Sequence, residues 1–228
     1  MQSPTPLLAT LLLATLLTAC GGAETKSTAN GDSQASTEEV QDPEANSDTY
    51  DEGEGEARKS QAGSYDPFIP EGYEVLGSAE GDLNKDEYID AVLALKMIGE
   101  ADVPDPYDNP AKRPLLLLLG NADYGYSEAA RNDNVVLCQA CGGVFGDPYD
   151  GITIKDGYFS VEHYGGSNWR WSRIITFKWD AEKKDWFLHK DGGVNYHTSD
   201  PDKVEEEVKT VKDFGVVPFG KFNYEDGQ

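Results

Sequence analysis

Hydrophobic residues are distributed along the chain in three regimes. Residues 7–19 are a short apolar run, residues 21–64 hold almost no aliphatics, and from residue 65 onward apolar residues return in runs of strand length separated by Gly, Pro, Asn and Asp. In the last regime, residues 71–76 and 88–98 flank a short acidic loop and read as strand, loop, strand. Residues 101–114 contain four prolines and three aspartates, which predicts a surface excursion. Residues 115–119 are five consecutive leucines between Pro114 and Gly120, a length that favours a central strand over a helix. Turn residues fill 121–126, and 127–137 reads as a mixed, extended segment.

The second half has a clearer hairpin rhythm. Residues 151–155 and 158–164 are β-formers joined by Asp156-Gly157, among the strongest short-range hairpin signals. Residues 169–179 are rich in aromatic and β-branched side chains, and 181–184 form the turn into 186–190. Gly165-Gly166 and Gly192-Gly193 are read as strand ends. One helix is expected, where Ser199-Asp200-Pro201 offers a cap and a first-turn proline ahead of Val204, Val208 and Val211 at helical spacing. Glu205 and Lys209 would support it as an i, i+4 pair, although a strand is an alternative for the same residues. Residues 216–222 read as a short final strand that Pro218 confines to an edge. The sum is a mostly β fold: antiparallel sheets with eight or nine strands, as a sandwich or as propeller-blade-like hairpins, and at most one short C-terminal helix.

The first two regimes specify an address. An apolar run too short to span a bilayer and ending in small residues has the form of a secretory signal. Its ending, Leu17-Thr18-Ala19-Cys20, resembles the lipobox of bacterial lipoproteins, although no Lys or Arg precedes the run. An ordinary cleaved signal peptide is the alternative. The resemblance implies a signal over residues 1–19, acylation of Cys20 and a chain anchored to the bacterial cell envelope, at the outer membrane or a periplasmic face. Residues 21–64 carry eleven Asp/Glu against three Lys/Arg, a composition that cannot bury enough apolar surface to offset its ordering entropy. Residues 20–64 are therefore expected to be a disordered acidic tether, and residues 65–228 the β-domain.

Charge narrows the partners. The chain has a net charge of -23, and residues 65–228 keep 31 acids against 16 bases. Nucleic acid is a poor partner for such a domain, because binding relies on Lys and Arg neutralising phosphates. Cations are a natural one.

The acidic loop offers a specific cation site. In Gly81-Asp82-Leu83-Asn84-Lys85-Asp86-Glu87-Tyr88-Ile89-Asp90, oxygen-bearing side chains recur at Asp82, Asn84 and Asp86, and Asp90 closes the loop. Such donors, with the Tyr88 carbonyl, suit Ca²⁺. An EF-hand would need a bidentate Glu at the twelfth position and flanking helices; that position is Leu93, inside a β-like run. The loop instead resembles the calcium loops of FG-GAP and VCBS repeats, which join two strands of a blade. Glu87 departs from that pattern, where Gly is usual. If the turn needs a positive φ there, Glu costs about 1 kcal/mol. The alternative is a solvated acidic turn with no metal.

Two further groups could carry chemistry. Cys138-Gln-Ala-Cys141 is open to a disulfide, a redox pair, or a zinc site with His163, His189 or His197. An exported address favours the disulfide, no βαβ context supports a redox motif, and no second paired motif supports zinc. Residues 163–173 gather His163, Tyr164, Trp169, Arg170, Trp171 and Arg173. On a strand Trp169, Trp171 and Arg173 share one face and Arg170 takes the other. The cluster is either a glycan- or protein-binding surface or ordinary cross-strand packing. With the Cys pair and the Asp156-Gly157 hairpin, it also resembles a group of bacterial exported proteins with one calcium loop, a likeness that implies fold and address without an activity. No nucleophile elbow, P-loop or His-Glu-x-x-His pattern is present. A calcium-stabilised binding module is thus expected ahead of the alternative, an envelope hydrolase acting on glycan or peptide.

Overall fold

A computed structural model describes residues 63–104, 106 and 108–226, and the sheets they form belong to one compact unit, Gly53–Gln228. The expected signal, Cys20 and the tether as far as residue 62 lie outside the described residues. Strands β1 (Tyr73–Gly81), β2 (Asp90–Met97), β3 (Leu115–Gly120) and β4 (Tyr126–Asn132) form one antiparallel sheet in chain order. Strands β5 (Tyr149–Lys155), β6 (Tyr158–Gly166), β7 (Trp169–Asp180), β8 (Asp185–His197) and β9 (Asp200–Thr210) form the second, also in chain order. The fold is mostly β with one short C-terminal helix, α1 (Val211–Phe214), and no closed barrel among the described residues.

Why residues 91–95 of β2 and 115–119 of β3 are unbroken apolar runs follows from what covers them. Val92, Ala94, Leu115 and Leu117 face a core shared with Phe159, Val161, Ile175, Phe177, Trp186 and Leu188 of the second sheet. The alternate residues Ala91, Leu93, Leu95, Leu116 and Leu118 face the other way, onto Tyr65, Phe68 and Ile69 of the segment preceding β1. A strand buried on both faces loses the period-2 alternation, so five leucines in a row mark the centre of this fold. The second sheet keeps its alternation. In β6, Phe159, Val161, His163 and Gly165 are buried while the residues between them are partly exposed.

The β5–β6 hairpin turns at Asp156 and Gly157, with φ of 51° and 79°. Two consecutive left-handed residues are what a tight turn matching strand twist requires.

Three expectations are corrected. The helix expected from Ser199 is β9, an edge strand whose backbone pairs with β8 from Lys190 to His197. Val204 and Val208 stand exposed on it, at 51% and 39%, so their spacing never marked a buried helical face. Pro201 sits near its start, tolerable at an edge because no sheet partner needs its missing N–H. The cap belongs to α1 instead: the Thr210 hydroxyl accepts from the Lys212 N–H, and the Asp213 carboxylate accepts from the Thr210 N–H at 2.8 Å. The strand expected over 216–222 is a single bridge between Phe187 and Pro218 followed by a 3-10 turn at Phe219–Lys221. Here the chain turns to bury Phe219 and Phe222 against Phe177, which a continuous strand would not do. Finally, Gly192 and Gly193 lie inside β8 rather than at its end.

One charged cluster is enclosed by the fold. Arg113, 1% exposed, donates to both carboxylate oxygens of Glu100, to both of Asp147 (2.7 and 2.6 Å) and to the Leu137 carbonyl (3.0 Å). Burial alone would lower the guanidinium pKa; the Asp147 and Glu100 carboxylates outweigh it and hold the pKa above its ordinary value.

Candidate functional site

The acidic loop spans from the end of β1 to the start of β2, and its side chains close a series of local turns. Asp82 Oδ1 accepts from the Lys85 N–H (2.6 Å), Asn84 Oδ1 from the Asp86 N–H (3.0 Å) and Asp86 Oδ1 from the Tyr88 N–H (2.7 Å). Short Asx side chains do this because their oxygens reach backbone N–H groups two or three residues on. The Asn84 amide also donates to Asp86 Oδ2 at 2.7 Å. Lys85, not Glu87, takes the left-handed conformation, with φ of 63°, so the strain anticipated at Glu87 does not arise. Among the described residues no three His, Cys, Asp or Glu side chains are gathered as metal ligands.

Position in the fold fastens this loop. Leu83 is fully buried in the shared core, its carbonyl accepts from the Trp186 indole N–H (3.0 Å), and the Asp82 carbonyl accepts from the Gly157 N–H (2.9 Å). Gly157, required by its own turn at φ of 79°, thus also fastens the loop above it through its N–H. Asp90, 0% exposed, accepts from the Leu83 N–H (2.7 Å) and the Gly120 N–H (2.9 Å), tying the loop to the end of β3. Burial pushes its pKa up to about 6, against the pull of the Gly120 and Leu83 N–H groups and with added repulsion from Asp86 and Asp82.

The aromatic cluster is divided between two faces. His163 pairs with Arg173 and Gly165 with Trp171 across β6 and β7, and these side chains point inward. Tyr164 and Arg170 lie on the outer face, where the Arg170 guanidinium sits 3.8 Å over the Phe145 ring and the Tyr164 and Tyr196 hydroxyls are 3.3 Å apart. Trp169 stands at the strand end, 56% exposed, edge-on to His197. His163 is a core residue: Nε2 accepts from the Leu137 N–H at 3.2 Å. Burial, then the charges of Arg173 and Arg113, push its pKa down to about 3, so it is a neutral acceptor near pH 7.

Cys138 and Cys141 form a disulfide with Cα atoms 5.1 Å apart. The histidines considered as zinc partners are engaged elsewhere. His163 meets Leu137, His189 packs edge-on against Tyr158, and His197 Nδ1 lies 2.7 Å from the Ser199 hydroxyl.

Inward of β7–β9, beyond the core, a cleft of about 850 Å³ runs beside this disulfide. Trp171 and Arg173 line it, joined by Asp191, Gly193, Asn195 and Glu207, which sequence reasoning passed over. Reading Gly192-Gly193 as a strand end and Glu205–Glu207 as helix hid them. A register shift at His189 moves the inward positions from Trp186 and Leu188 to Asp191, Gly193 and Asn195, and no period within the segment reports it. At the cleft base Arg173 donates to both Asp191 oxygens (2.9 and 2.7 Å) and to the Tyr224 carbonyl (3.0 Å).

Comparison with protein-family models, with curated proteins and with solved structures returns no match for this chain.

Proposed function

We propose that this chain is a lipid-anchored, extracytoplasmic, calcium-stabilised binding or interaction module of a bacterial cell envelope. The observation that carries the reading is the acidic loop, whose oxygen donors are spaced by Asx turns on a scaffold clamped to both sheets through Leu83, Asp82 and Asp90. Asp82, Asn84, Asp86 and Asp90, with the Tyr88 carbonyl, are an all-oxygen set of the kind Ca²⁺ takes. A carboxylate oxygen that already accepts one N–H keeps lone-pair capacity for a cation, so the turn bonds and the donor set are compatible. The ion would supply charge neutralisation where Asp82, Asp86 and Asp90 repel one another.

A binding role is favoured over hydrolysis by the placement of His163. A general base must reach a substrate proton in its basic form near neutral pH. His163 is 1% exposed and its acceptor nitrogen is spent on Leu137, while Trp169 lies apart at the strand end. Anchoring through Cys20 supplies the envelope address.

Thermal melting tests the metal. At free Ca²⁺ ten times the dissociation constant, stabilisation should be about 1.4 kcal/mol, a few degrees in melting temperature relative to excess chelator. Superimposable melting curves in calcium and in chelator would remove the ion from the reading.

A further inference from the structure

The cleft joins an aromatic wall, a floor without side chains and two self-neutralised ion pairs. Trp171 forms the wall: its ring lies over Gly165, where an added Cβ would meet Cζ2 at 2.6 Å. Gly193, opposite Arg173 in the β7–β8 register, leaves the floor open. A Cβ there would meet the Ser172 carbonyl oxygen at 1.9 Å, so no other residue fits this position as the strands stand. Arg173 and Asp191 pair at the base, both less than one-fifth exposed, and Lys209 Nζ lies 3.3 Å from Glu207 at the rim. Asn195, paired with Trp171 across the strands, adds an exposed amide at the cleft.

We propose that this cleft binds a neutral saccharide. The inference rests on the binding-module reading above and names its site and ligand class. A sugar hydroxyl both donates and accepts, and it needs partners of both kinds close together. An ion pair supplies them: guanidinium or ammonium N–H groups beside carboxylate lone pairs, with no net charge left to attract a counter-ion. The Asn195 amide does the same with no charge at all. The apolar C–H face of a pyranose matches the indole, whose large flat surface gives contact area at low entropic cost. Anionic ligands are disfavoured, since Asp108 and Glu225 add negative charge at the cleft edge. The volume suits a small ligand held between the sheet and the disulfide segment.

The test is titration of the full-length protein, in calcium buffer, with maltose, cellobiose and N,N′-diacetylchitobiose. Binding is followed by tryptophan fluorescence and calorimetry, and new reducing ends are assayed in parallel. The expected result is saturable binding of at least one disaccharide, weakened about tenfold or more by Trp171→Ala and unchanged by Trp169→Ala. Because Trp171 also packs against the core, Glu207→Leu at the exposed rim of the cleft is the second variant, with a several-fold loss expected. No binding of any of the three, or binding that both Trp171→Ala and Glu207→Leu leave intact, overturns the proposal and leaves the module reading with a peptide ligand. Binding with cleavage of the disaccharide supports the saccharide site while overturning the non-catalytic reading.

Discussion

Arg113→Met should lower the unfolding free energy by about 3–5 kcal/mol, read as a shift of the urea midpoint. Methionine keeps much of the volume, so the loss is electrostatic. Glu100, 6% exposed, would be left as a buried carboxylate without its guanidinium, and the Leu137 carbonyl and Asp147 would lose their donors. Removing one partner of a buried ion pair is expensive because the other remains desolvated, whatever the pair itself contributes. The effect should reach the cleft, since Leu137 is held on one side by Arg113 and on the other by His163, and Cys138 follows it in the chain. Adding Glu100→Gln to Arg113→Met should recover part of the loss, as a double-mutant cycle would show. A loss below about 1 kcal/mol for the single variant would mean that the cluster is hydrated rather than enclosed.

Acidification should stabilise the metal-free loop between pH 6 and pH 4 and weaken the proposed calcium binding between pH 7 and pH 5. The folded pKa of Asp90, about 6, lies above that of an unfolded aspartate, so between these values the native state holds more protons. Stability from this group is then fully present below about pH 4 and lost as the pH rises through about 6. Its size is about 1–3 kcal/mol, the lower end allowing for solvent screening. Because Ca²⁺ needs the ionised carboxylate, its affinity should fall about tenfold between pH 7 and pH 5. His163 acts in the opposite sense: its depressed pKa makes the fold lose stability as pH falls from about 6.5 toward 3. The difference between calcium and chelator melts cancels that contribution and isolates the loop. A calcium increment that stays constant from pH 7 to pH 5 would show that Asp90 is not among the ligands.

Much of the fold is legible in the residues because the signals are local. Asp156-Gly157 supplies the two left-handed positions that a tight hairpin needs, and Pro114 and Gly120 bound a leucine run too short for a helix. The Asx series Asp82, Asn84, Asp86 makes its turn with atoms no more than three residues apart, and the alternation of residues 169–173 sends Trp171 and Arg173 to one face. Residues 200–210 are the counter-example. Their valines have helical spacing, yet the free backbone edge of β8 captures them as a strand, a non-local pairing that no period within the segment reports.

The cleft residues were hidden for the same reason. Asp191, Gly193, Asn195 and Glu207 become neighbours of Trp171 only through the β7–β8 and β8–β9 registers. The acidic loop, in contrast, makes its turns from its own short spacing alone. What the amino-acid sequence determined is the menu of short-range structure: strands, tight turns, the Asx turns of the acidic loop and the proximity of Cys138 to Cys141. What tertiary structure decided is which of these meet. Leu83 under Trp186, Asp90 against Gly120, His163 consumed by Leu137 and Arg113 enclosed by two carboxylates are contacts between distant segments. Burial, which sets the charge states of Asp90 and His163, exists only after both sheets have closed on their common core.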